Sequence, residues 1–391
     1  MDLVLKHAFF EGIATLDTLA GRSKLALPII HSMFRTMQKE QLCDTRGMVE
    51  DDYEISLTGK GRAMAEVALK KSHYVGPAPV PLVEYNHAVT VQAKPMGVTR
   101  ESLESALADL VLPDSVINQL GAALVTGGSI LLHGTTGNGK TSIAERLHYL
   151  LSGFVYIPHA VEVSGQVVSV YDPLIHMAVE DTRDNGDERW VACRRPMVKA
   201  GGELRVEMLE PRIDETTRVY VAPVQMKSNN GILLIDDFGR QRLSPRELLN
   251  RWIVPLDRHT DILTLHSGAS FEIPFQMLVV FATNLALSDL AEDAFMRRLK
   301  NKIRIDTLSP DLFRQLWRRV CRDKDLSCSA EMENYLCERC SIESVHGLRA
   351  CFPRDIVTIL NGIAVFDQRP PEIAKDLIDQ ALEIYFGRPS S

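Results

Sequence analysis

The stretch "HGTTGNGKT" at residues 133–141 constrains the fold of this chain more than any other. Gly134 is followed by four residues and then by Gly139, Lys140 and Thr141, which is the G-x-x-x-x-G-K-[ST] spacing. The apolar run "SILLHG" before it predicts a buried strand, and "TSIAERLHYLL" after it predicts an amphipathic helix. Glycines at these positions let successive backbone N–H groups turn inward around a phosphate at a helix N-terminus. The stretch therefore predicts a strand–loop–helix unit of an α/β domain.

The residue types inside this loop indicate how a nucleotide would be held. The Lys140 ammonium is expected to neutralise the β- and γ-phosphates, and the Thr141 hydroxyl is expected to hold Mg²⁺. Backbone N–H groups supply most of the remaining contacts. The predicted phosphate-binding residues are Gly134, Thr135, Thr136, Gly137, Asn138, Gly139, Lys140, Thr141 and Ser142.

A second apolar run, "GILLID" at residues 231–236, ends in two adjacent carboxylates, Asp236 and Asp237. Taken alone, such a pair is commonly a strand end that turns into solvent. Downstream of a phosphate loop, however, a strand end is where a P-loop NTPase keeps the carboxylate that holds Mg²⁺ through water. We therefore predict that Asp236 holds the metal in this way and that Asp237 polarises the water that attacks the γ-phosphate.

The pattern of the 391 residues changes three times along the chain, which predicts four segments. Residues 1–75 show helices, then a short extended piece with glycines, which is a winged-helix pattern. Residues 76–95 begin with three closely spaced prolines and are predicted to be an extended linker. Residues 96–308 alternate strands with helices and inserted hairpins, as in a parallel sheet covered on both faces. Residues 309–391 are predicted to be helical throughout.

These motifs, in this order, resemble an AAA+ ATPase over residues 96–391. The stretch "VVFATN" resembles the sensor 1 strand, which implies that its terminal residue, Asn284, helps to place the attacking water. The stretch "EDAFMRRLKNKIRI" resembles the segment with the arginine finger, where Arg298 fits best and Arg297 is its neighbour. The stretch "CFPRDIV" resembles sensor 2 in a helical lid, which implies that Arg354 approaches the γ-phosphate of its own subunit.

The stretch "DILTLHSGASFEIPF" is typical of two short strands joined by a Gly-containing turn. It resembles the extra hairpin of the MoxR-like branch of AAA+ proteins. The resemblance implies an enzyme that uses ATP and Mg²⁺ and converts ATP and water to ADP and phosphate. Because an arginine finger acts on the nucleotide of a neighbouring subunit, it also implies a homo-oligomer, expected to be a hexameric ring or spiral.

One position departs from the pattern of the family. AAA+ proteins usually carry Glu where this chain has Asp237. Because Asp is one methylene shorter, its carboxylate must reach the water through a backbone shift or a second water. ATP binding is therefore the firm expectation, and the rate of hydrolysis stays open.

The charge distribution bears on what residues 1–75 bind. The whole chain has a formal net charge of −7, which argues against blanket contact with nucleic acid or anionic membrane. Residues 1–75 hold ten basic and ten acidic residues, where a duplex-binding domain usually shows a basic surplus. This favours docking of a client protein. The alternative is an ATP-gated DNA-binding or DNA-processing regulator, with "LALPIIHSMFRTMQKEQ" as the recognition helix.

The apolar runs of the sequence bear on where the protein is located. No run approaches the roughly 18 residues that predict a membrane-spanning helix. The start "MDLVLKHAFFEG" has an acidic residue and only a short apolar run, unlike a signal peptide. We therefore expect a cytoplasmic protein.

Overall fold

The computed structural model describes residues 1–94, 97–180, 186–290 and 296–387. The N-terminal part packs helices on a three-stranded antiparallel sheet of order β1–β3–β2. Its elements are α1 (Asp2–Glu11), β1 (Ile13–Thr15), α2 (Leu16–Ser23), α3 (Leu27–Lys39), β2 (Cys43–Val49), β3 (Asp52–Leu57) and α4 (Gly59–Lys71).

This N-terminal part has its own apolar core, to which α1, α2, α3 and β3 contribute buried side chains such as Leu5, Leu16, Phe34 and Ile55. Two of its helices begin at threonine caps. Thr15 Oγ1 accepts a hydrogen bond from Thr18 N at the start of α2, and Thr58 Oγ1 accepts one from Gly61 N at the start of α4. Such caps satisfy backbone donors that have no partner within the helix.

The segment predicted to be a Pro-rich linker, residues 76–95, instead contains a helix, which corrects that expectation. After the short strand β4 (Val80–Pro81), the chain forms α5 (Leu82–Gln92). The prolines leave the first residues of the segment non-helical, but the stretch after Pro81 is free of proline and can form a helix. Tyr85 and Val89 of α5 are buried in an apolar core, which explains why this segment is ordered.

The centre of the chain is a five-stranded parallel sheet of order β10–β13–β16–β5–β17. Along β5, Ile130 and Leu132 face a cluster covered by α6, α7 and α8, and Leu131 faces a second cluster covered by α10. The three inner strands, β13, β16 and β5, are therefore buried on both faces, as their continuous apolar runs predict. The elements are α6 (Arg100–Ala106), α7 (Asp114–Thr126), β5 (Ile130–His133), α8 (Lys140–Arg146), β10 (Met197–Ala200), α9 (Val224–Ser228), β13 (Ile232–Ile235), α10 (Pro245–Arg258), β16 (Leu278–Thr283), α11 (Leu287–Leu290) and β17 (Asn301–Arg304).

Further strands are inserted around this sheet, as the sequence predicts. They form a second sheet of order β11–β12–β8–β7–β4 and a separate antiparallel pair, β6–β9. The predicted two-stranded hairpin before β16 is confirmed, since β14 pairs antiparallel with β15. The elements are β6 (Phe154–Pro158), β7 (Ala160–Val163), β8 (Gln166–Ser169), β9 (Trp190–Arg194), β11 (Arg212–Asp214), β12 (Val219–Val221), β14 (Thr260–Thr264) and β15 (Ser270–Pro274).

The C-terminal part is helical, as predicted, and we call it the lid. It consists of α12 (Pro310–Asp323), α13 (Ala330–Glu343), α14 (Phe352–Phe366) and α15 (Lys375–Phe386). These helices enclose a separate apolar core. With the parallel sheet, this confirms the predicted α/β fold class, a parallel sheet between helices followed by a helical C-terminal part. Within the described residues, no helix is both long enough and apolar enough to span a membrane.

A buried ion pair joins three elements beside the central sheet. Asp261 of β14 is 0% exposed, and its Oδ1 lies 2.5 Å from Arg251 Nη1 of α10. Its other oxygen, Oδ2, accepts a hydrogen bond of 3.0 Å from Gln225 Nε2 of α9. Because removal of one partner leaves an uncompensated buried charge, this pair is expected to matter far more than a surface pair.

We predict that Arg251→Ala lowers the free energy of unfolding by about 3–5 kcal/mol, because Asp261 is then buried without its cation. Urea denaturation followed by circular dichroism measures this change. The control is Arg304→Ala, since Arg304 and Asp306 form an ion pair whose side chains are 69% and 58% exposed. That change should cost about 0–1 kcal/mol. Equal losses in the two variants would contradict the prediction.

Candidate nucleotide site

The predicted phosphate loop lies between β5 and α8, as its spacing requires. Gly134, Gly137 and Gly139 have φ values of +133°, +79° and +83°, in the region that L side chains rarely adopt. At Gly134 a Cβ atom would also lie only 2.3 Å from the carbonyl oxygen of Ile305. The glycines of the motif are therefore required by the shape of this loop.

Lys140 folds back over the loop that precedes it. Its Nζ donates hydrogen bonds to the carbonyl oxygens of Gly134 at 2.9 Å and Thr135 at 2.8 Å. Burial lowers the pKa of Lys140, while the nearby carboxylates of Asp237 and Asp236 act in the opposite direction. The ammonium is therefore held at the loop by neutral oxygens, and a phosphate would offer it a charged partner.

Asp236 follows β13, and Thr141 lies on α8, the helix after β5. The two side chains meet although β13 and β5 are not neighbours, since β16 lies between them. Thr141 Oγ1 donates a 2.9 Å hydrogen bond to Asp236 Oδ1, which also accepts one from the backbone N–H of Asp237 at 3.1 Å. A hydroxyl and a carboxylate are the hard oxygen ligands that Mg²⁺ takes in proteins. The two side chains thus fit the predicted metal site.

Asp237 and Asn284 line the same pocket as the loop residues. Asp237 is exposed and has a left-handed backbone, with φ of +49°. Asn284 follows β16, and its Oδ1 is buried without a hydrogen-bond partner among the described residues. A buried acceptor of this kind normally finds a donor, so the amide is suited to bind a water or ligand in the pocket.

The pocket has a volume of about 430 Å³. The loop contributes its residues from Thr136 to Ser142 to the lining, whereas Gly134 and Thr135 bind Lys140. Arg354, exposed at the start of α14, also lines it, as the resemblance to sensor 2 implies. Apolar side chains also line the pocket, and they are Leu110, Val111, Leu112, Leu316 and Val320.

The lid docks directly on the phosphate loop, a contact that the sequence did not reveal. Asn138 is only 3% exposed, and its Nδ2 donates a 2.6 Å hydrogen bond to Thr135 Oγ1. Its Oδ1 accepts a hydrogen bond of 3.2 Å from the backbone N–H of Ala350. Beside it, the N–H of Cys351 donates to the carbonyl oxygen of Gly137 at 2.9 Å. The loop and the first turn of α14 are thus joined.

Lys199 is a second residue that the sequence analysis missed. It lies on β10, and its Nζ is 3.2 Å from Asp236 Oδ2 and 3.1 Å from Glu145 Oε1. Burial alone would lower the pKa of Lys199, but hydrogen bonds to the two carboxylates raise it overall. In the sequence, Lys199 appears only as a charged residue inside the short strand "MVKA". Its proximity to Asp236 becomes visible only when β10 is paired with β13.

The two candidate finger arginines do not line the pocket of their own chain. Arg298 is half-buried, and its Nε lies 3.1 Å from Asp257 Oδ2. Arg297 is exposed. The preceding residues, 291–295, which include the start of the "EDAFMRRLKNKIRI" stretch, lie outside the described part of the chain.

Comparisons with known proteins match the lid to a family model and most of the chain to solved structures. A family model described as a domain of unknown function, DUF8689, matches residues 309–384, which lie in the lid. No curated protein matches the chain in sequence. Among solved structures, the chain is similar to a point mutant of RuvB from Thermotoga maritima, with 12% identity over 73% of this chain and 70% of that chain and a TM-score of 0.39. It is also similar to NtrX of Brucella abortus, with 12% identity over 81% of this chain and 59% of that chain and a TM-score of 0.41. The assignment of the fold therefore rests on the strand order and the phosphate loop themselves.

Proposed function

We propose that this chain binds ATP with Mg²⁺ beside the phosphate loop, hydrolyses it, and works as a homo-oligomer that remodels or regulates a partner protein. The observation that carries the proposal is the convergence of Lys140, Thr141, Asp236, Asn284 and Arg354 on one pocket. These residues come from α8, the ends of β13 and β16, and α14. Such a set of ammonium, metal ligands and polar groups is what phosphoryl transfer requires.

Each side chain has a role in this proposal. Lys140 neutralises the phosphates, and Thr141 and Asp236 hold Mg²⁺. When bound, the metal stabilises the negative charge that develops on the phosphate oxygens. Asp237 accepts the proton of the attacking water, and the Asn284 oxygen, which has no partner in the described part of the chain, orients that water.

The remaining groups support a nucleoside triphosphate as the substrate. The apolar part of the wall, formed by Leu110, Val111, Leu112, Leu316 and Val320, offers a surface for a planar base. Arg354 extends from the lid toward the same pocket and would bind the γ-phosphate. Since the lid is joined to the loop through Asn138, binding and release of phosphate would move the lid.

The proposal includes an oligomer, expected to be a hexamer, because the finger arginine acts on the next subunit. Arg297 and Arg298 do not line the nucleotide pocket of their own chain, which supports a role as finger in the neighbouring subunit. Arg297 is the more exposed of the two, whereas Arg298 is in contact with Asp257. The β14–β15 hairpin before β16 supports placement in the MoxR-like branch.

We propose that residues 1–75 form a winged-helix domain that recruits a client protein. The order of helices and strands and the β2–β3 hairpin support this domain type. Its exposed surface includes several large apolar side chains, which favours a protein partner over nucleic acid. These side chains are Phe10, Ile13, Met48 and Val49.

Lys140→Ala is expected to abolish ATP binding, since the cation at the phosphates is lost. Asp237→Asn should keep ATP binding but reduce turnover about 10²- to 10⁴-fold, because the amide cannot accept the proton. Asp237→Glu is the matched control, and it should retain turnover within about tenfold since it keeps the base. Binding of a fluorescent ATP analogue and steady-state phosphate release measure these effects. Equal turnover in Asp237→Asn and the unmodified chain would exclude Asp237 as the base.

We expect the ATPase rate per subunit to fall on dilution, since a finger in trans contributes about 10³-fold or more to related reactions. Either Arg297→Ala or Arg298→Ala should cause a loss of this size at concentrations where the chain is assembled, and the rate of that variant should not fall further on dilution. Mixing the inactive finger variant with Asp237→Asn should restore part of the activity, because the second chain supplies the missing arginine. Phosphate release over a dilution series measures this. A specific activity that stays constant down to the monomer would contradict the oligomeric mechanism.

DNA binding by the N-terminal part is the competing hypothesis, and the exposed cations of α3 provide its test. Arg35→Glu combined with Lys39→Glu reverses two exposed charges on that helix. If the partner is a protein, a low-salt gel shift with long duplex DNA should be the same for this variant and the unmodified chain. Loss of a clear binding curve in the variant would support DNA as the ligand.

A further inference from the structure

The two oxygens of the Asp236 carboxylate have different partners. Oδ1 accepts hydrogen bonds from Thr141 Oγ1 and from the N–H of Asp237. Oδ2 lies 3.2 Å from Lys199 Nζ, which makes an ion pair. A cation of the protein itself is thus in contact with the carboxylate assigned to the metal.

Lys199 has a second anionic partner within reach. Glu145 lies on α8, close to Thr141, and its Oε1 is 3.1 Å from Lys199 Nζ. The side chains of Lys199 and Glu145 are 46% and 39% exposed, whereas that of Asp236 is 16% exposed. Because the lysine is more exposed than Asp236, it can shift toward Glu145 without entering a less hydrated environment.

We propose that Lys199 competes with Mg²⁺ for Asp236, and thereby sets the Mg²⁺ concentration at which the site binds ATP. The inference rests on the proposed function, in which Asp236 holds the metal. A divalent cation on Asp236 would lie a few ångströms from the Lys199 ammonium, and like charges at that separation repel even in water. Lys199 must therefore move away from Asp236 as the metal binds, and Glu145 receives it.

This competition has a consequence for the order of binding. With Lys199 beside it, the negative charge of Asp236 is partly neutralised, so the protein alone attracts Mg²⁺ weakly. The phosphates of a nucleotide add negative charge at the loop and shift the balance toward the metal. Lys199 therefore makes metal binding depend on the nucleotide.

The test is a Mg²⁺ titration of the binding of a fluorescent ATP analogue to the full chain. Lys199→Met removes the charge but keeps an unbranched side chain of similar length. It should lower the half-saturating Mg²⁺ concentration roughly fivefold or more, as expected for removal of one cation next to a divalent ion. The control is Lys24→Met, because Lys24 is also half-exposed and ion-paired, with Glu188 in place of Asp236. That variant should leave the Mg²⁺ midpoint unchanged.

The variant Glu145→Gln provides a second, independent test of the competition. Without the carboxylate of Glu145, Lys199 stays closer to Asp236, so the Mg²⁺ midpoint should rise about twofold or more. Because the loss of a negative charge alone could act in the same direction, the double variant with Lys199→Met decides the cause. The effect of Glu145→Gln should disappear in that background, which is the sign of an interaction between the two residues.

Mn²⁺ binding to the nucleotide-free chain, measured by electron paramagnetic resonance, gives a readout that does not depend on ATP or on turnover. Lys199→Met should bind Mn²⁺ more tightly than the unmodified chain by a similar factor. An unchanged or higher Mg²⁺ midpoint in Lys199→Met, with ATP binding intact, would overturn the inference while leaving the proposed function in place. Absence of ATP binding by the unmodified chain at any Mg²⁺ concentration would instead overturn the proposed function.

Discussion

The hydrogen bond between Thr141 and Asp236 depends on the register of three strands. Thr141 follows β5, Asp236 follows β13, and β16 lies between these strands. In the sheet, His133 is opposite Thr283 and Ile235 is opposite Phe281, so the carboxyl ends of all three strands meet at one edge. A slip of one residue along a strand would move Asp236 by about 3.3 Å relative to the phosphate loop and separate it from Thr141, so the strand register fixes the position of the site.

The same edge explains why the lid belongs to the site. The phosphate loop projects from the carboxyl end of β5, and its outer side is covered by Ala350 and Cys351 at the start of α14. Asn138 fills this junction with its amide, which bonds to the loop on one side and to the lid on the other. A change in the loop on phosphate binding therefore reaches the lid through two hydrogen bonds, without an intermediate element. In the proposed function, movement of the lid would be the output of this arrangement.

Local features of the site could be predicted from the sequence, and long-range ones could not. The spacing of Gly134 and Lys140 predicts a loop that is formed within nine residues. All the residues that shape this loop are therefore present in one short stretch of sequence. The contact of Asn138 with Ala350 joins residues 212 positions apart, and nothing in either segment indicates the other. The contact of Lys199 with Asp236 is also long-range, since it can be seen only when β10 is placed beside β13. The helix α5 escapes prediction for a different reason, because the prolines restrict only the residues before it and say nothing about Leu82–Gln92.

The backbone conformation at position 237 explains why this position carries Asp. The chain leaves β13 through a left-handed residue, with φ of +49° at Asp237, and Asp is among the few residues other than glycine that are enriched in this conformation. The turn also points the residue into the pocket, which it lines although its side chain is short. A glutamate there would gain reach but lose this conformational preference. In the proposed function, the shorter acid can therefore act as the base, because the left-handed turn already places Asp237 on the wall of the pocket.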